Sequence, residues 1–485
     1  MTVIHFASAQ QQAAMIARGE IGAEELLDHY LARIAKYNGE LNAVIWMDET
    51  AARARARDAD AARVRGERLG PLHGVPMTIK ESYNLVGSPS TWGNPAWKDH
   101  FPDETALSVQ RLLDAGANIF GKTNVPFMLA DWQSFNDIYG TTNNPWDMGR
   151  TPGGSSGGSA AALAAGLTGI ETGSDIGASI RNPAHYCGVC GHKPTYGIIP
   201  AHGQKPPGIV ADNDIAVLGP LARSAYDLEI ALDIMAGAGT PQNAAWKLNL
   251  KPARHRRIED FRVAVMTSAP GFDVDNDYQA ALNAIGDTLE AAGARVSREA
   301  RPDIGIAEAY ETYIMLLRAA TSGALSEDML ARFRKIAATS DPDDKSYLTL
   351  MARAVTLSHK DWLRFNNERH LMARKWAAFF TDWDILICPA AAGPAFPQNQ
   401  QGERQDRMID INGTLQSSTE QMFWAGYSNM VDLPSTVVPI GLTPAGLPVG
   451  LQAIAAYGED RTALRLCQLI EEAGVKFSPP PNYSV

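Results

Sequence analysis

The stretch TPGGSSGGSAAALAAG, from Thr151 to Gly166, decides which fold this chain adopts. Four glycines and three serines fill residues 153–159, and alanines dominate the positions after them. The stretch could be a flexible linker, a phosphate-binding loop or part of a catalytic site. A linker is disfavoured because the segment runs directly into an alanine-rich helix pattern, preceded by serines that can cap a helix. Small side chains would let such a helix lie close to other backbone, which suits a buried element.

Two specific motifs come close to this stretch. A phosphate-binding P-loop requires a lysine after its last glycine, whereas Gly158 is followed by Ser159 and Ala160. Residues 154–158 do fit Gly-x-Ser-x-Gly, the nucleophile elbow of α/β-hydrolases, with Ser156 as nucleophile. That elbow needs an apolar strand before it, and the preceding NNPWDMGRTP is typical of a loop. The missing strand disfavours the elbow, which is kept as an alternative.

The bulk composition predicts a globular, cytoplasmic protein. Of 485 residues, 45% are hydrophobic and 20% are charged. A net charge of −11 without a basic run disfavours nucleic acid and anionic membranes as partners. No signal peptide is evident, and no stretch reaches the ~18 consecutive apolar residues of a membrane span. Four cysteines, with one Cys-x-x-Cys at 187–190, form neither a disulfide framework nor a metal-binding set.

Helix and strand patterns alternate along most of the chain, which predicts an α/β fold around a mixed sheet. Val75, Met77 and Ile79 alternate with polar residues and indicate a strand that carries Lys80. Residues 8–65 have a helical pattern, and residues 305–375 form a long helical stretch without strand signals. Four further stretches are rich in strand-forming residues: 261–266, 294–299, 384–390 and 435–441.

A second serine motif, SDIGASIRNPA, places Ser179 24 residues after Ser155. The small residues before Ser179 would let the backbone N–H groups of Ile176, Gly177, Ala178 and Ser179 converge on one point. Such a nest binds an anion, as an oxyanion hole must. A tight turn before a strand, with Ser179 as an ordinary N-cap, fits this stretch equally well.

Taken together, several blocks resemble the amidase signature family. In chain order they are GPLHGVPMTIK, GKTNVPFM, NNPWDMGRTPGGSSGGSAAALAAG, SDIGASIRNPA, GHKPTYG and GLPVGLQ, and the resemblance runs from about residue 20 to residue 475. It implies one amidase domain, residues 1–485, with a mixed twisted sheet covered by helices on both faces. Its expected parts are an N-terminal helical segment (8–65), a core with the catalytic motifs (66–300), a helical cap insertion lining the substrate pocket (301–380) and the rest of the core (381–485).

The resemblance also implies a catalytic triad. Ser179 matches the nucleophile, Lys80 the base and Ser155 the bridging serine, which follows a cis peptide; the N–H groups of residues 176–179 match the oxyanion hole. Free lysine has a pKa of about 10.4, so a base role requires burial, which can lower that pKa by ~3–5 units. A hydroxyl both donates and accepts, so Ser155 can relay a proton in either direction.

Two residues depart from the family pattern. Ala178 stands where the family usually has a second glycine, so the local backbone must suit an alanine. Glu81 stands where an aspartate often follows the lysine. Asp175 and Arg181 flank the nucleophile, and we expect them to form an ion pair that fixes the loop.

The resemblance implies hydrolysis of an amide through an acyl-enzyme, with carbamates and esters as further expected substrates and with neither metal nor organic cofactor. Apolar and aromatic residues near the expected pocket favour a small hydrophobic or aryl amide: Met128, Trp132, Tyr313, Met315, Phe423 and Trp424. Three alternatives remain: a protein like the tRNA-dependent amidotransferase subunits of the family, which needs partner chains; an α/β-hydrolase-type esterase using Ser156; and a non-catalytic scaffold. A homodimer is implied by the resemblance alone.

Overall fold

The computed structural model describes residues 3–484, in which fourteen α-helices and fifteen strands are formed. The strands are β1 (Val44–Met47), β2 (Pro76–Lys80), β3 (Asn118–Thr123), β4 (Phe135–Asn136), β5 (Gly140–Thr141), β6 (Glu171–Asp175), β7 (Cys190–Lys193), β8 (Val217–Ala222), β9 (Arg262–Val265), β10 (Arg295–Ser297), β11 (Ile385–Pro389), β12 (Met408–Ile411), β13 (Thr414–Ser417), β14 (Ser435–Leu442) and β15 (Pro448–Ile454). The helices are α1 (Ala9–Arg18), α2 (Ala23–Leu41), α3 (Glu49–Val64), α4 (Leu107–Asp114), α5 (Gly157–Ala164), α6 (Arg181–Cys187), α7 (Ala225–Met235), α8 (Asn276–Ala291), α9 (Ile306–Ala320), α10 (Glu327–Thr339), α11 (Tyr347–Ala354), α12 (His359–Asp382), α13 (Met422–Asn429) and α14 (Asp460–Glu472).

Eight strands form one mixed sheet in the order β10-β9-β11-β15-β14-β7-β8-β6. β9 is parallel to both β10 and β11, and the other neighbours in this sheet are antiparallel. A smaller sheet has the order β1-β3-β2, with β2 parallel to β3. The predicted α/β fold with a mixed sheet is confirmed.

Helices cover both faces of the large sheet, as alternation along β8 shows. Leu221 belongs to the apolar cluster that contains the alanines of α5, whereas Leu218 and Ala222 belong to the cluster that contains Leu228 of α7. Successive side chains of a strand point to opposite faces, so α5 and α7 lie on opposite sides of the sheet.

Most predicted elements are present. The predicted strands correspond to β2, β9, β10, β11 and β14, and the helical stretch after residue 300 is formed by α9 to α12. The expectation that residues 8–65 are helical throughout is wrong at β1, which pairs antiparallel with β3. No helix within residues 3–484 is long and apolar enough to cross a membrane.

The four cysteines are buried and form no disulfide among themselves. Burial raises the thiol pKa of both Cys187 and Cys190, so the Cys-x-x-Cys carries no reactive thiolate. In the part of the chain that the structure describes, no group of three or more His, Cys, Asp or Glu residues could hold a metal ion.

The glycine-serine stretch ends in α5, all eight residues of which are buried. A β-carbon on Gly158 would lie 2.4 Å from the backbone nitrogen of Asn124, so the helix touches neighbouring backbone directly. At its carboxyl end Arg33 donates to Ala165 O at 2.8 Å, and Arg223 donates to Thr168 O at 2.6 Å. The small residues therefore allow close docking, as the sequence predicts.

Gly158→Ala is expected to lower the free energy of unfolding by about 1–3 kcal/mol, because the new methyl group would overlap the backbone of Asn124. Gly39→Ala is the matched control: Gly39 is exposed in α2 and a β-carbon there meets nothing within 4 Å. That change should stabilise the protein by ~0.5–1 kcal/mol through helix propensity. Urea denaturation of both variants measures the difference, and equal effects would contradict the close docking of α5.

Candidate active site

The amine of Lys80, at the end of β2, contacts three serine hydroxyls. Its Nζ donates to Ser155 Oγ at 2.6 Å, Ser156 Oγ at 3.0 Å and Ser174 Oγ at 3.0 Å. Ser155 and Ser156 immediately precede α5, and Ser174 lies on β6. Three elements that are distant in sequence therefore place their polar groups together, with the hydroxyls around one amine.

Lys80 is fully buried, and burial lowers the pKa of its amine to about 7. The negative charges of Asp175 and Glu81 oppose part of this shift. A large fraction of the amine is therefore neutral near pH 7, and a neutral amine can accept a proton.

Glu81 has a structural position. Its buried carboxylate accepts hydrogen bonds from the backbone N–H groups of Thr91 and Trp92, the latter at 2.9 Å. Glu81, which stands where the family often has an aspartate, thus links the segment at residues 91–92 to the end of β2.

The peptide bond between Gly154 and Ser155 is cis. Asn182, in α6, holds this segment from both sides: Nδ2 donates to Gly154 O at 2.6 Å, and Oδ1 accepts from Gly154 N at 3.0 Å. Ser156 N in turn donates to Ser179 O at 3.1 Å. The glycine-serine stretch and the Ser179 loop are therefore directly joined.

Ser179 is 5% exposed, and within residues 3–484 its hydroxyl makes no hydrogen bond. It lies in the loop between β6 and α6, where neighbouring groups hold the backbone carbonyls. Ile176 O accepts from Tyr313 Oη at 3.0 Å and from Asn429 Nδ2 at 2.7 Å. Because C=O and N–H point in opposite directions across a trans peptide, these contacts turn the N–H of Gly177 away from Tyr313.

One of the four N–H groups in the predicted nest already has an acceptor in the structure. Ala178 N donates to Asp175 Oδ1 at 2.9 Å, so this N–H is not free to bind an oxyanion. The N–H groups of Ile176, Gly177 and Ser179 have no acceptor within residues 3–484. Ala178 adopts a left-handed backbone with φ +68°, which costs an alanine roughly 1–2 kcal/mol. The same Asp175 contact helps to hold that conformation.

Asp175 and Arg181 form the expected ion pair, and both side chains are fully buried. Asp175 accepts from Arg181 through Nε at 2.9 Å and Nη2 at 2.8 Å, and also from the backbone N–H of Ile180. Although burial alone would raise it, the pKa of Asp175 lies below its usual value because of Arg181. The ion pair joins the end of β6 to the start of α6, on either side of the loop that carries Ser179.

The predicted pocket residues occupy several different environments. Trp132 and Tyr313 reach the loop through polar atoms: Trp132 Nε1 donates to Gly177 O at 2.7 Å, and Tyr313 donates to Ile176 O. Phe423 stacks on Phe272 at 4.4 Å and Trp424 is fully buried, so both lie in the core. Met315 is likewise buried, whereas half-buried Met128 accepts from Asn94 Nδ2 at 3.6 Å.

Sequence reasoning missed Ser174, Asn182 and Asn429 as members of this site. Ser174 and Asn182 lie inside the quoted SDIGASIRNPA block, so their signal was present but unassigned. Asn429 ends α13, and its contact with Ile176 O joins positions 253 residues apart. Such a contact is not readable from a single sequence.

Ser156 lacks the surroundings of a nucleophile elbow. It precedes α5 without a strand before it, and its hydroxyl meets Lys80 rather than a histidine. The ring nitrogens of His185 instead form hydrogen bonds with Gly393 O and Gly450 N, and not with the Ser156 hydroxyl. The geometry thus groups Ser156 with the lysine.

Comparisons with known proteins cover nearly the whole chain. Residues 25–464 match the sequence model of the amidase family. An indoleacetamide hydrolase of Bradyrhizobium diazoefficiens is 34% identical, over 96% of this chain and 87% of that protein. A glutamyl-tRNA(Gln) amidotransferase subunit of Anaeromyxobacter sp. (strain K) is 33% identical, over 97% of each chain.

Among solved structures, one described in connection with the evolutionary origins of an s-triazine catabolic enzyme superposes with a TM-score of 0.81. It is 29% identical and covers 97% of this chain and 99% of its own. With the family match extending from α2 to α14, the chain belongs to the amidase (amidase signature) family and is an amide-hydrolysing enzyme.

Proposed function

We propose that this enzyme hydrolyses the C–N bond of a small amide through an acyl-enzyme on Ser179, with Lys80 as base and Ser155 as proton relay. The observation that carries the proposal is the buried Lys80 amine, whose pKa is about 7, at 2.6 Å from Ser155 Oγ. A serine hydroxyl becomes an effective nucleophile only when a base removes its proton.

In the first half-reaction Ser179 Oγ bonds to the amide carbon while its proton passes to Ser155, and the Ser155 proton passes to Lys80. The N–H groups of Ile176, Gly177 and Ser179 stabilise the oxyanion. When the intermediate collapses, the C–N bond breaks and the proton returns through Ser155 to the leaving nitrogen. Water then attacks the acyl-enzyme by the same route and releases the carboxylic acid.

We further propose that the substrate is hydrophobic or aryl near the scissile bond, with carbamates and esters as side substrates. Trp132 and Tyr313 border the Ser179 loop, and a β-carbon on Gly177 would lie 3.4 Å from Met422 Cε. One relative is named for indoleacetamide, an amide that carries an aromatic indole ring, and this name supports the same class.

A fluorophosphonate probe tests the nucleophile. We expect intact-mass and peptide mass spectrometry to find the label on Ser179, to find none in Ser179→Ala, and to show slowed labelling in Lys80→Met. Label on Ser156 would instead support the esterase alternative. No label on any serine would overturn the proposed hydrolase.

A role as one component of an amidotransferase complex remains the second candidate, because one relative at 33% identity is named as such a component. The net charge of −11 weighs against tRNA as a partner. Purification of the chain alone, with light scattering to test the implied homodimer and an amide assay, separates the two. Hydrolysis by the isolated chain supports the free-standing amidase.

A further inference from the structure

Two arginines converge on one sulfur atom beside the Ser179 loop. Arg404 Nη2 lies 3.0 Å from Met422 Sδ, and Arg318 Nη2, from α9, lies 3.9 Å from the same atom. A thioether is a weak acceptor, so this sulfur does not compensate two guanidinium groups.

Met422 connects the two arginines to the proposed oxyanion loop. A β-carbon on Gly177 would meet Met422 Cε at 3.4 Å and Tyr313 Oη at 3.3 Å. Met422 therefore contacts the two guanidinium groups through Sδ and lies beside Gly177 of the proposed oxyanion loop through Cε.

Neither arginine has a carboxylate within 4 Å among residues 3–484, although nearby arginines do. Arg407 pairs with Asp131 at 2.5 Å, for example. Arg404 has a carbonyl partner, Ala130 O at 2.8 Å. Arg318 stacks over the ring of Tyr347 at 5.3 Å, and its Nε is buried without an acceptor.

The charge of Arg318 is poorly compensated as a result. Burial lowers the pKa of Arg318 and the positive charge of Arg404 lowers it further, whereas the hydroxyl of Tyr347, which hydrogen-bonds with Arg318, opposes part of this shift. The hydroxyl of Tyr310, eight residues earlier on α9, is also buried without a partner. Glu420 acts electrostatically on Tyr310 but is not within 4 Å of either guanidinium group. Within residues 3–484 the site thus offers positive charge without a carboxylate partner, and the Nε–H of Arg318 lacks an acceptor.

We propose that Arg318 and Arg404 form a subsite for a carboxylate on the substrate, so that the enzyme acts on amides that carry a second, anionic end. This inference rests on the proposed function and narrows its substrate class. A carboxylate would accept from both guanidinium groups, and the flexible Met422 side chain can move aside for it. The amide carbonyl would then lie in the loop at Gly177.

Matched substrates test the subsite. We expect kcat/KM to be at least about tenfold higher for 4-carbamoylbenzoate than for 4-acetylbenzamide, and for adipamate than for heptanamide, since a hydrogen bond to a charged group contributes about that factor. Arg318→Met should reduce this ratio about tenfold or more, chiefly by raising KM for the anionic amide. Arg404→Met, at a half-buried position, is the second variant should Arg318→Met fold poorly.

Arg334→Met is the matched control, because Arg334 is an exposed arginine on α10 with a loose contact to Glu327 at 3.9 Å. The ratio should be unchanged in that variant. Preference for the neutral amides, or an equal loss on both amides in Arg318→Met and Arg404→Met, would overturn the subsite. Fluorophosphonate labelling of Ser179 distinguishes this failure from failure of the proposed function: labelled enzyme without preference for the acids defeats the subsite alone.

Discussion

Lys80→Met is expected to lower kcat/KM for amide hydrolysis by about 10²- to 10⁴-fold, the scale of a lost general base. Methionine keeps most of the side-chain volume, so the loss should come from the missing amine rather than from a cavity. Steady-state kinetics on purified enzyme would measure it. Retention of more than about a tenth of the activity would exclude Lys80 as the base.

The pH profile of wild-type activity should reflect the titration of the Lys80 amine. Because burial lowers the pKa of Lys80 to about 7, kcat/KM should rise about tenfold per pH unit below that value and level off above it. Lys80→Met should lose this dependence in its residual activity. A wild-type profile that is flat between pH 5.5 and about 8 would contradict the assignment.

Lys122 provides a matched control within the same chain. It is fully buried and burial lowers its pKa to about 7, but its Nζ donates to Pro89 O at 2.6 Å and Ser90 Oγ at 2.8 Å instead of the proposed catalytic serines. Lys122→Met should therefore keep the wild-type pH profile of activity. The comparison separates a buried lysine from a catalytic one.

The lowered pKa of Lys80 also makes the free energy of unfolding depend on pH. The pKa of Lys80 is about 7 in the fold against 10.5 for an unperturbed lysine, so between these values the unfolded chain binds more protons. The free energy of unfolding contributed by this residue therefore rises with pH across that window, by up to about 1.4 kcal/mol per unit. Lys80→Met should remove that one-proton slope, which urea denaturation at several pH values would record.

Asp175→Asn is expected to lower the free energy of unfolding by about 3–5 kcal/mol, because it leaves Arg181 as an uncompensated buried charge. An amide has one acceptor oxygen where the carboxylate accepts from Ala178 N, Ile180 N and two nitrogens of Arg181. The amide NH₂ would then face donors. Activity should fall as well, since these contacts shape the Ser179 loop.

A surface ion pair supplies the comparison for Asp175. Asp233 contacts Arg461 at 2.7 Å with 45% of its side chain exposed, so Asp233→Asn should cost about 0–1 kcal/mol. Guanidinium denaturation of both variants tests the contrast. If the two substitutions cost the same, the buried pair does not hold the loop.

Of the strands in the large sheet, sequence patterns located β9, β10, β11 and β14 and missed β7, β8, β15 and, most clearly, β6. Its residues, Glu171 to Asp175, contain no large apolar side chain, yet all are buried. Hydrogen bonds replace apolar packing there: Thr78 donates to Glu171, and burial raises the pKa of Glu171 to about 8. A polar strand stabilised by distant partners is invisible to a hydrophobic pattern.

The proposed catalytic residues could be named because they lie in short blocks with distinctive small residues. The pocket residues stay a prediction, since aromatic residues on a helix look alike in sequence whether they line a pocket or fill a core. Phe423 and Trp424 are buried, and the sequence analysis did not single out Arg318 and Arg404 because the charge spacing around them is ordinary. The two arginines are recognised as a pair only in the structure, where both contact Met422.

The complete burial of α5 has a consequence for how the site can move. Its amide hydrogens should exchange with deuterium only when the whole molecule opens, since neighbouring backbone and two arginines enclose the helix. Helix α10, which buries Phe333 alone among its residues, should exchange far sooner. Ser155 and Lys80 would then keep fixed positions, and adjustment to substrates of different size would come from the helical segment α9 to α12.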